Sequence, residues 1–154
     1  MTNSINFNIM KTKITLVIIT LFLGLNVSFA QQDEECMNKL SIFHEYVKAK
    51  NYNAAFEPWM AVRVKCPKFN NAIYIDGEKI LKHKIENSSG EEQTNFIKDL
   101  LKLWDEKLEN FPNKSKKGDI LSDKAQLMYD HKDKISKSDS DIYKAFDKAF
   151  TEDK

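Results

Sequence analysis

Apolar side chains recur every three or four residues along most of this chain, which is the spacing of one face of an α-helix. The clearest stripe lies between residues 91 and 110 and consists of Ile97, Leu100, Leu101, Trp104 and Leu108. Glycine and proline, which interrupt helices, are sparse: the 154 residues include four glycines and three prolines. The pattern therefore predicts an all-α protein.

The stripes and the residues that interrupt them predict six helices, at about 33–49, 52–65, 70–86, 91–110, 118–131 and 140–151. Pro67 and Pro112 follow the second and fourth helices, because proline cannot continue the helical hydrogen-bond ladder. Pro58 lies inside the second helix, where it removes one hydrogen bond and should bend the helix. Short connections between the helices imply about three helical hairpins.

The first thirty residues have the composition of an export signal. They contain no acidic side chain, and two lysines precede an apolar run from Ile14 to Leu25. Ser28 and Ala30 are the small residues that a signal peptidase needs before its cleavage site. The run is too short for a membrane span, which needs about 20 apolar residues. We therefore predict a cleaved signal peptide.

The predicted boundary places the signal peptide at 1–30 and one helical domain at 31–154, with Gln31 as the first mature residue. The mature chain is then periplasmic or secreted, and no membrane insertion is expected after cleavage. A retained membrane anchor is the alternative interpretation of the same apolar run.

Composition and motifs predict neither an enzyme nor a nucleic-acid-binding protein. The formal charge of +1 provides no polycationic surface, and no GxGxxG or GxxxxGK[ST] string provides a phosphate loop. His44, His83 and His131 lack the spacing of metal ligands, and no carboxylate pair stands out as an acid and a base. We expect no catalytic residue, metal or cofactor.

The two cysteines are placed symmetrically about a turn near residue 51. Cys36 precedes that turn by fifteen residues and Cys66 follows it by fifteen, so an antiparallel hairpin brings them side by side. A disulfide there is compatible with export and closes a loop of about 30 residues, worth roughly 3.5 kcal/mol in the chain-entropy model. Two separate buried thiols are the alternative.

Two segments of the form Trp-x7-Pro, WMAVRVKCP and WDEKLENFP, are offset by 45 residues and indicate a repeat. The first belongs to a stretch that resembles the tetratricopeptide repeat, a helix–turn–helix of about 34 residues. The residues that carry this resemblance are Tyr46, Tyr52, Ala55, Phe56, Trp59 and Pro67. The motif has a small residue at one position in the first helix of each repeat. Gly77 occupies this position in the second repeat, whereas Phe43, at the corresponding position of the first repeat, departs from the motif.

The run from Glu35 to Gly77 is similar to exported tetratricopeptide-like proteins of Bacteroidetes-type bacteria. Members of that group are usually longer, so the resemblance implies a shortened member. It further implies an α-α solenoid of about three hairpins, whose concave face is formed by the first helix of each hairpin. The residues that this implies for partner binding are Leu40, His44, Lys48, Asn71, Tyr74, Glu78 and Lys82.

Within that set, His44 and Tyr74 are expected to be the main contacts, because a polar-tipped aromatic ring offers both area and a hydrogen bond. The predicted function is a non-catalytic scaffold or adaptor that binds a protein or peptide of the cell envelope. The alternatives are a small exported helical module that binds a small ligand or an envelope glycan, and, third, a lytic or hydrolytic enzyme.

The sixth predicted helix has more apolar surface than one neighbouring helix can cover. Ile142, Phe146, Ala149 and Phe150 share a face, and Tyr143 lies beside it. We expect this helix either to fray or to bury the remaining surface against a second chain, through Phe146 and Phe150.

Overall fold

Every regular element between residues 33 and 152, the part of the chain that the computed structural model describes, is a helix. The helices are α1 (33–48), α2 (Tyr52–Lys65), α3 (Ala72–Glu86), α4 (Gly90–Asn110), α5 (Lys117–Asp130) and α6 (Asp139–Glu152), with a short 3₁₀ helix at Pro112–Lys114. The predicted all-α class is confirmed, and the predicted bounds agree within two residues. The predicted signal peptide lies outside the described residues.

Local hydrogen bonds set the helix ends. α1 is terminated by Lys50, two residues past its last helical residue, whose φ of 56° is left-handed, and the amide of Asn51 donates back to the carbonyl of Tyr46 as in a Schellman motif. The Asn51 side chain then accepts from Ala54 and caps α2. α3 begins at residue 72 and not at 70, because the Asn70 side chain accepts from the amide of Ala72 and holds a turn.

α6 begins with a reciprocal cap. The Ser138 hydroxyl accepts from the amide of Asp141, and the Asp141 carboxylate accepts from the amide and hydroxyl of Ser138. These hydrogen bonds lower the pKa of the exposed Asp141 carboxyl. This reciprocal cap defines the start of α6, which continues as a helix to Glu152.

The chain from Lys39 onward forms one compact unit, in which consecutive helices from α2 to α6 pack on one another. Its core consists of Phe43, Val47, Ala55, Trp59, Val62, Ile73, Tyr74, Ile80, Leu81, Ile85, Ile97, Leu100, Leu103, Trp104 and Ile120. No helix in the described part of the chain is long and apolar enough to cross a membrane.

Most of the aromatic side chains of α1, α2 and α4 lie in the core or against it. Phe43, Trp59 and Trp104 are buried, and three further rings, those of Tyr52, Phe56 and Phe111, are partly buried against the core. Tyr46 is exposed, because Phe43 and Val47 form the core-facing stripe of α1 and position 46 lies on its flank.

Trp59 joins α2 to α3. Its indole nitrogen donates to the carbonyl of Ile73 at 2.7 Å, and its ring lies against Gly77. A Cβ atom at position 77 would be 2.6 Å from three atoms of the ring. Packing therefore favours glycine at position 77, because a larger residue would collide with the Trp59 ring.

Arg63 joins α2 to α4. Its guanidinium is buried, lies 5.2 Å from the centroid of the Trp59 ring and pairs with Asp99 at 2.9 Å and Glu106 at 2.7 Å. Burial alone would lower the pKa of Arg63, but the hydrogen bonds from its two carboxylate partners outweigh burial and raise it. The pairing keeps a buried cation charged and fixes how α2 lies on α4.

Cys36 and Cys66, the two cysteines of the chain, are both disulfide-bonded. The predicted disulfide is confirmed. Such a bond is typical of proteins that fold in an oxidising compartment.

Replacing Gly77 by Ala should destabilise the protein by about 1–3 kcal/mol, the cost of overpacking a filled core. Helix propensity alone would favour alanine by about 1 kcal/mol, so the steric contact determines the sign. In a Trp59→Phe background, where the contacting part of the indole is gone, the same substitution should cost much less. Urea unfolding of the four proteins of this cycle measures the coupling. Equal costs of Gly77→Ala in both backgrounds would show that the two residues are not in contact.

Candidate functional site

The predicted partner-binding residues lie on two neighbouring helices. Leu40, His44 and Lys48 are on α1, Asn71 immediately precedes α3, and Tyr74, Glu78 and Lys82 are on α3. The structure divides this set into exposed polar residues and residues that belong to the core.

His44 connects α1 to α3. Its Nδ1 atom lies 2.5 Å from Oδ2 of Asp76, a carboxylate that is only 2% exposed. The other oxygen of Asp76 accepts from Lys79 at 3.0 Å. A buried carboxylate needs such partners, so this pair fixes the position of α1 beside α3.

Asp76 is not among the residues predicted for the site, although the sequence contains a signal for it. The residue lies between Ile73 and Ile80 on the apolar stripe of α3, where an unpaired charge would be costly. An acidic residue on a core-facing stripe indicates a partner from another helix, and His44 is that partner.

Glu78 is half-buried between α3 and α4. Its carboxylate accepts from Lys82 at 2.7 Å and from the indole nitrogen of Trp104 at 3.0 Å. Burial would raise the pKa of this carboxyl, but the hydrogen bonds from Lys82 and Trp104 outweigh burial and hold the pKa below its ordinary value. Glu78 is therefore a fixed negative charge near neutral pH.

Two predicted contacts, Tyr74 and Leu40, are not surface residues. The Tyr74 ring is fully buried, its hydroxyl donates to the carbonyl of Pro67 at 3.0 Å, and it accepts from Asn110 at 2.8 Å. Burial raises the pKa of this hydroxyl. The expectation that Tyr74 offers its ring to a ligand is corrected: the polar tip is satisfied inside the fold. Leu40 is partly buried and packs against the core.

Asn71 contributes its backbone to the start of α3, since its carbonyl accepts from the amides of Tyr74 and Ile75. Its side-chain oxygen is buried and has no hydrogen-bond partner in the part of the chain that the structure describes. Asn71 as a whole is partly exposed.

The remaining four residues, His44, Lys48, Glu78 and Lys82, form what we call the polar face. Lys48 pairs with Glu45 at 2.9 Å, and Lys82 also lies 5.9 Å from the Trp104 ring centroid. Ion pairs hold most of these groups in defined positions. They offer hydrogen-bonding and charged groups to a polar partner.

A second surface lies on α6 and is apolar. Tyr143, Phe146 and Phe150, at i, i+3 and i+7, form what we call the aromatic stripe, and Tyr143 and Phe150 are 73% and 64% exposed. Ile142 and Ala149, on the adjoining side of the helix, are buried. The predicted excess of apolar surface on α6 is therefore present without fraying of the helix.

A shallow cavity of about 470 Å³ adjoins the aromatic stripe between α5 and α6. Its lining consists of Tyr129, Lys132, Asp139, Ile142, Tyr143 and Phe146. Lys132 and Asp139 pair at 2.7 Å, and this hydrogen bond raises the pKa of the lysine. The cavity thus combines aromatic rings with one ion pair.

A further cleft of about 500 Å³ lies between α2 and α4, beside Arg63. Its charged lining residues are balanced, with Arg63, Lys68 and Lys102 against Asp99, Glu106 and Glu109. Arg63 is already paired with two carboxylates of α4, so the residues of this cleft mainly hold α2 against α4. Among residues 33–152 no group of three His, Cys, Asp or Glu side chains is placed to hold a metal ion.

Comparison of the chain with models of protein families, with curated proteins and with solved structures finds no match.

Replacing Glu78 by Gln should destabilise the protein at pH 7 by about 1–2 kcal/mol, the range for losing hydrogen bonds to a partly buried charge. A carboxyl with a depressed pKa stabilises the fold above its unfolded-state pKa of about 4.3, and this contribution is lost as the pH falls through the lower, folded-state pKa. The difference between wild type and variant should therefore shrink in acid. Denaturant unfolding between pH 7 and pH 3 measures it.

Glu45→Gln is the matched control, because it removes the same charge from a fully exposed pair with Lys48 that solvent screens. If Glu78→Gln behaves like this control, or if its effect does not change with pH, the assigned role of Glu78 is wrong.

Proposed function

We propose that this chain is an exported, non-catalytic helical-repeat protein that binds another protein or peptide of the cell envelope. The single observation that carries the proposal is the aromatic stripe on α6. Isolated exposed apolar residues are ordinary, but adjoining aromatic rings on one surface are typical of binding sites. Aromatic side chains are also the most frequent anchors of protein interfaces.

The packing of the helices supports a stack of hairpins of the tetratricopeptide type. α3 packs on both α2 and α4, and α5 packs on both α4 and α6, so each later hairpin begins against the hairpin before it. The His44–Asp76 pair places the first helices of two hairpins side by side. Stacked hairpins present extended surfaces and suit the binding of other chains.

The polar face supports a binding role better than a chemical one. Its charged groups are used to hold one another, as in the Lys82–Glu78 pair at 2.7 Å, and such groups can orient a partner without reacting with it. Export is supported by the leader-like residues 1–30 and by the disulfide-bonded cysteines.

A second candidate function is the binding of a small ligand or an envelope glycan. The cavity between α5 and α6 favours it, because its volume of about 470 Å³ lies in the range of small-molecule sites. The rings of Tyr129 and Tyr143 could stack on a sugar, and the Lys132–Asp139 pair could bond its hydroxyl groups.

Site-specific photo-crosslinking tests the proposal. A benzophenone amino acid placed at Tyr143 should give a discrete protein adduct when the chain is irradiated in the envelope of its native host. The same group at Val64, a 75% exposed apolar residue on α2, is the control and should not give that adduct. Adduct formation at Val64 equal to that at Tyr143, or no protein adduct at Tyr143, would contradict a protein-binding role of the aromatic stripe.

Thermal unfolding of the wild type and of Tyr143→Ala tests the glycan alternative. A melting temperature that rises with soluble peptidoglycan or oligosaccharide fragments, together with loss of the shift in Tyr143→Ala, would replace the first proposal by the second.

A further inference from the structure

An acidic residue of α6 lies beside the two most exposed rings of the aromatic stripe. Asp147 follows Tyr143 by four residues and precedes Phe150 by three, and side chains at these spacings are neighbours on a helix. Asp147 is exposed, and no residue in the described part of the chain forms an ion pair with it. Two aromatic rings and a carboxylate without an ion-pair partner therefore meet on one side of α6.

The lysines around α5 and α6 are engaged elsewhere. Residues 117–152 contain seven lysines. Four of them bind an acidic or amide side chain: Lys117 binds Glu152, Lys124 binds Asp105, Lys132 binds Asp139 and Lys134 binds Gln93. Lys137 and Lys144 lie near Asp141, where they add to the Ser138 hydrogen bonds in lowering the pKa of that carboxyl. At 3.6 residues per turn, Lys148 lies on the same side of α6 as Lys144, away from the aromatic stripe.

Two rings and a carboxylate at this spacing suit a cation. The face of an aromatic ring attracts an ammonium or guanidinium group, and a carboxylate adds a charge-assisted hydrogen bond, which is often bidentate with arginine. An anionic lipid surface is disfavoured, because its headgroups would face Asp147. The stripe extends about 10 Å along the helix from Tyr143 to Phe150, at 1.5 Å per residue. One basic side chain does not cover that length, so the occupant also carries apolar side chains.

We propose that the aromatic stripe and Asp147 bind a basic segment of another envelope protein, in which an arginine or lysine lies beside apolar side chains. The basic side chain lies over Tyr143 and pairs with Asp147, and the apolar side chains cover Phe146 and Phe150. This inference rests on the proposed function, because it names the chemistry of the partner that the aromatic stripe binds.

Charge reversal at Asp147 tests the proposal in the native host. A benzophenone amino acid at Phe146 leaves Tyr143, Asp147 and Phe150 in place and should give a protein adduct on irradiation. Asp147→Lys should lower the yield of that adduct about tenfold, because like charges that face each other across an interface are strongly unfavourable. Glu57→Lys makes the same charge change at an exposed residue of α2 and should leave the yield unchanged. Circular dichroism should show native helix content in both variants.

Two synthetic amphipathic peptides test the same chemistry with the purified, oxidised mature chain. One carries leucine on one face and arginine on the other, and the second has glutamate in place of each arginine. Fluorescence anisotropy should show that the arginine peptide binds about tenfold more tightly than the glutamate peptide, and that Asp147→Lys removes this preference. Tyr143→Leu keeps apolar area but removes the ring, and should weaken binding of the arginine peptide about two- to fivefold. Glu57→Lys should bind both peptides like the wild type.

Three results would overturn the proposal: an arginine peptide that binds no more tightly than the glutamate peptide, an Asp147→Lys chain that keeps the wild-type affinity for the arginine peptide, and an adduct formed with a second copy of this chain. If adducts with another protein form at Tyr143 and Phe146 and Asp147→Lys leaves both unchanged, the basic chemistry of the partner is wrong and the protein-binding function stands. If no protein adduct forms at Tyr143, the proposed function fails, and the basic partner fails with it.

Discussion

The contact between the Trp59 indole and Gly77 is the constraint on which the other interhelical contacts depend. It sets the distance of α2 from α3, because nothing larger than a hydrogen atom fits between the ring and the backbone of residue 77. The hydrogen bond from the indole to the carbonyl of Ile73 sets the register of the two helices along their axes. α3 carries Asp76, which contacts α1, and Glu78, which contacts α4. A change in how α2 packs on α3 would therefore displace both α1 and α4.

Charged groups at the seams make the packing specific. Asp76 accepts from α1, Glu78 accepts from α4, and Arg63 of α2 is held by two carboxylates of α4. Apolar packing alone tolerates sliding of one helix along another, whereas a half-buried charge without its partner is costly. These pairs select one arrangement of the helices. Two of their members, His44 and Glu78, also belong to the polar face.

The sequence predicted the helices well because their signals are local: periodic apolar positions and the prolines at 67 and 112. The disulfide was predicted from the spacing of the two cysteines about a turn, and the small position at 77 from the resemblance to the tetratricopeptide repeat. The candidate site was harder to predict than the helices. Tyr74 was assigned to a binding surface because the tetratricopeptide resemblance places it on the concave face, whereas the fold brings Asn110 and Phe111 against that tyrosine. Asp76 was missed because its partner is 32 residues away.

α2 and α3 meet through Trp59 and Gly77, and this contact fixes the faces left for partners. Proton NMR of the oxidised mature chain tests it most directly. An indole ring in contact with Gly77 should give nuclear Overhauser effects from its ring protons to the α-protons of Gly77, and the ring current should shift those α-protons away from their ordinary positions. Unshifted Gly77 α-protons with no Overhauser effect from Trp59 would contradict this packing of α2 on α3.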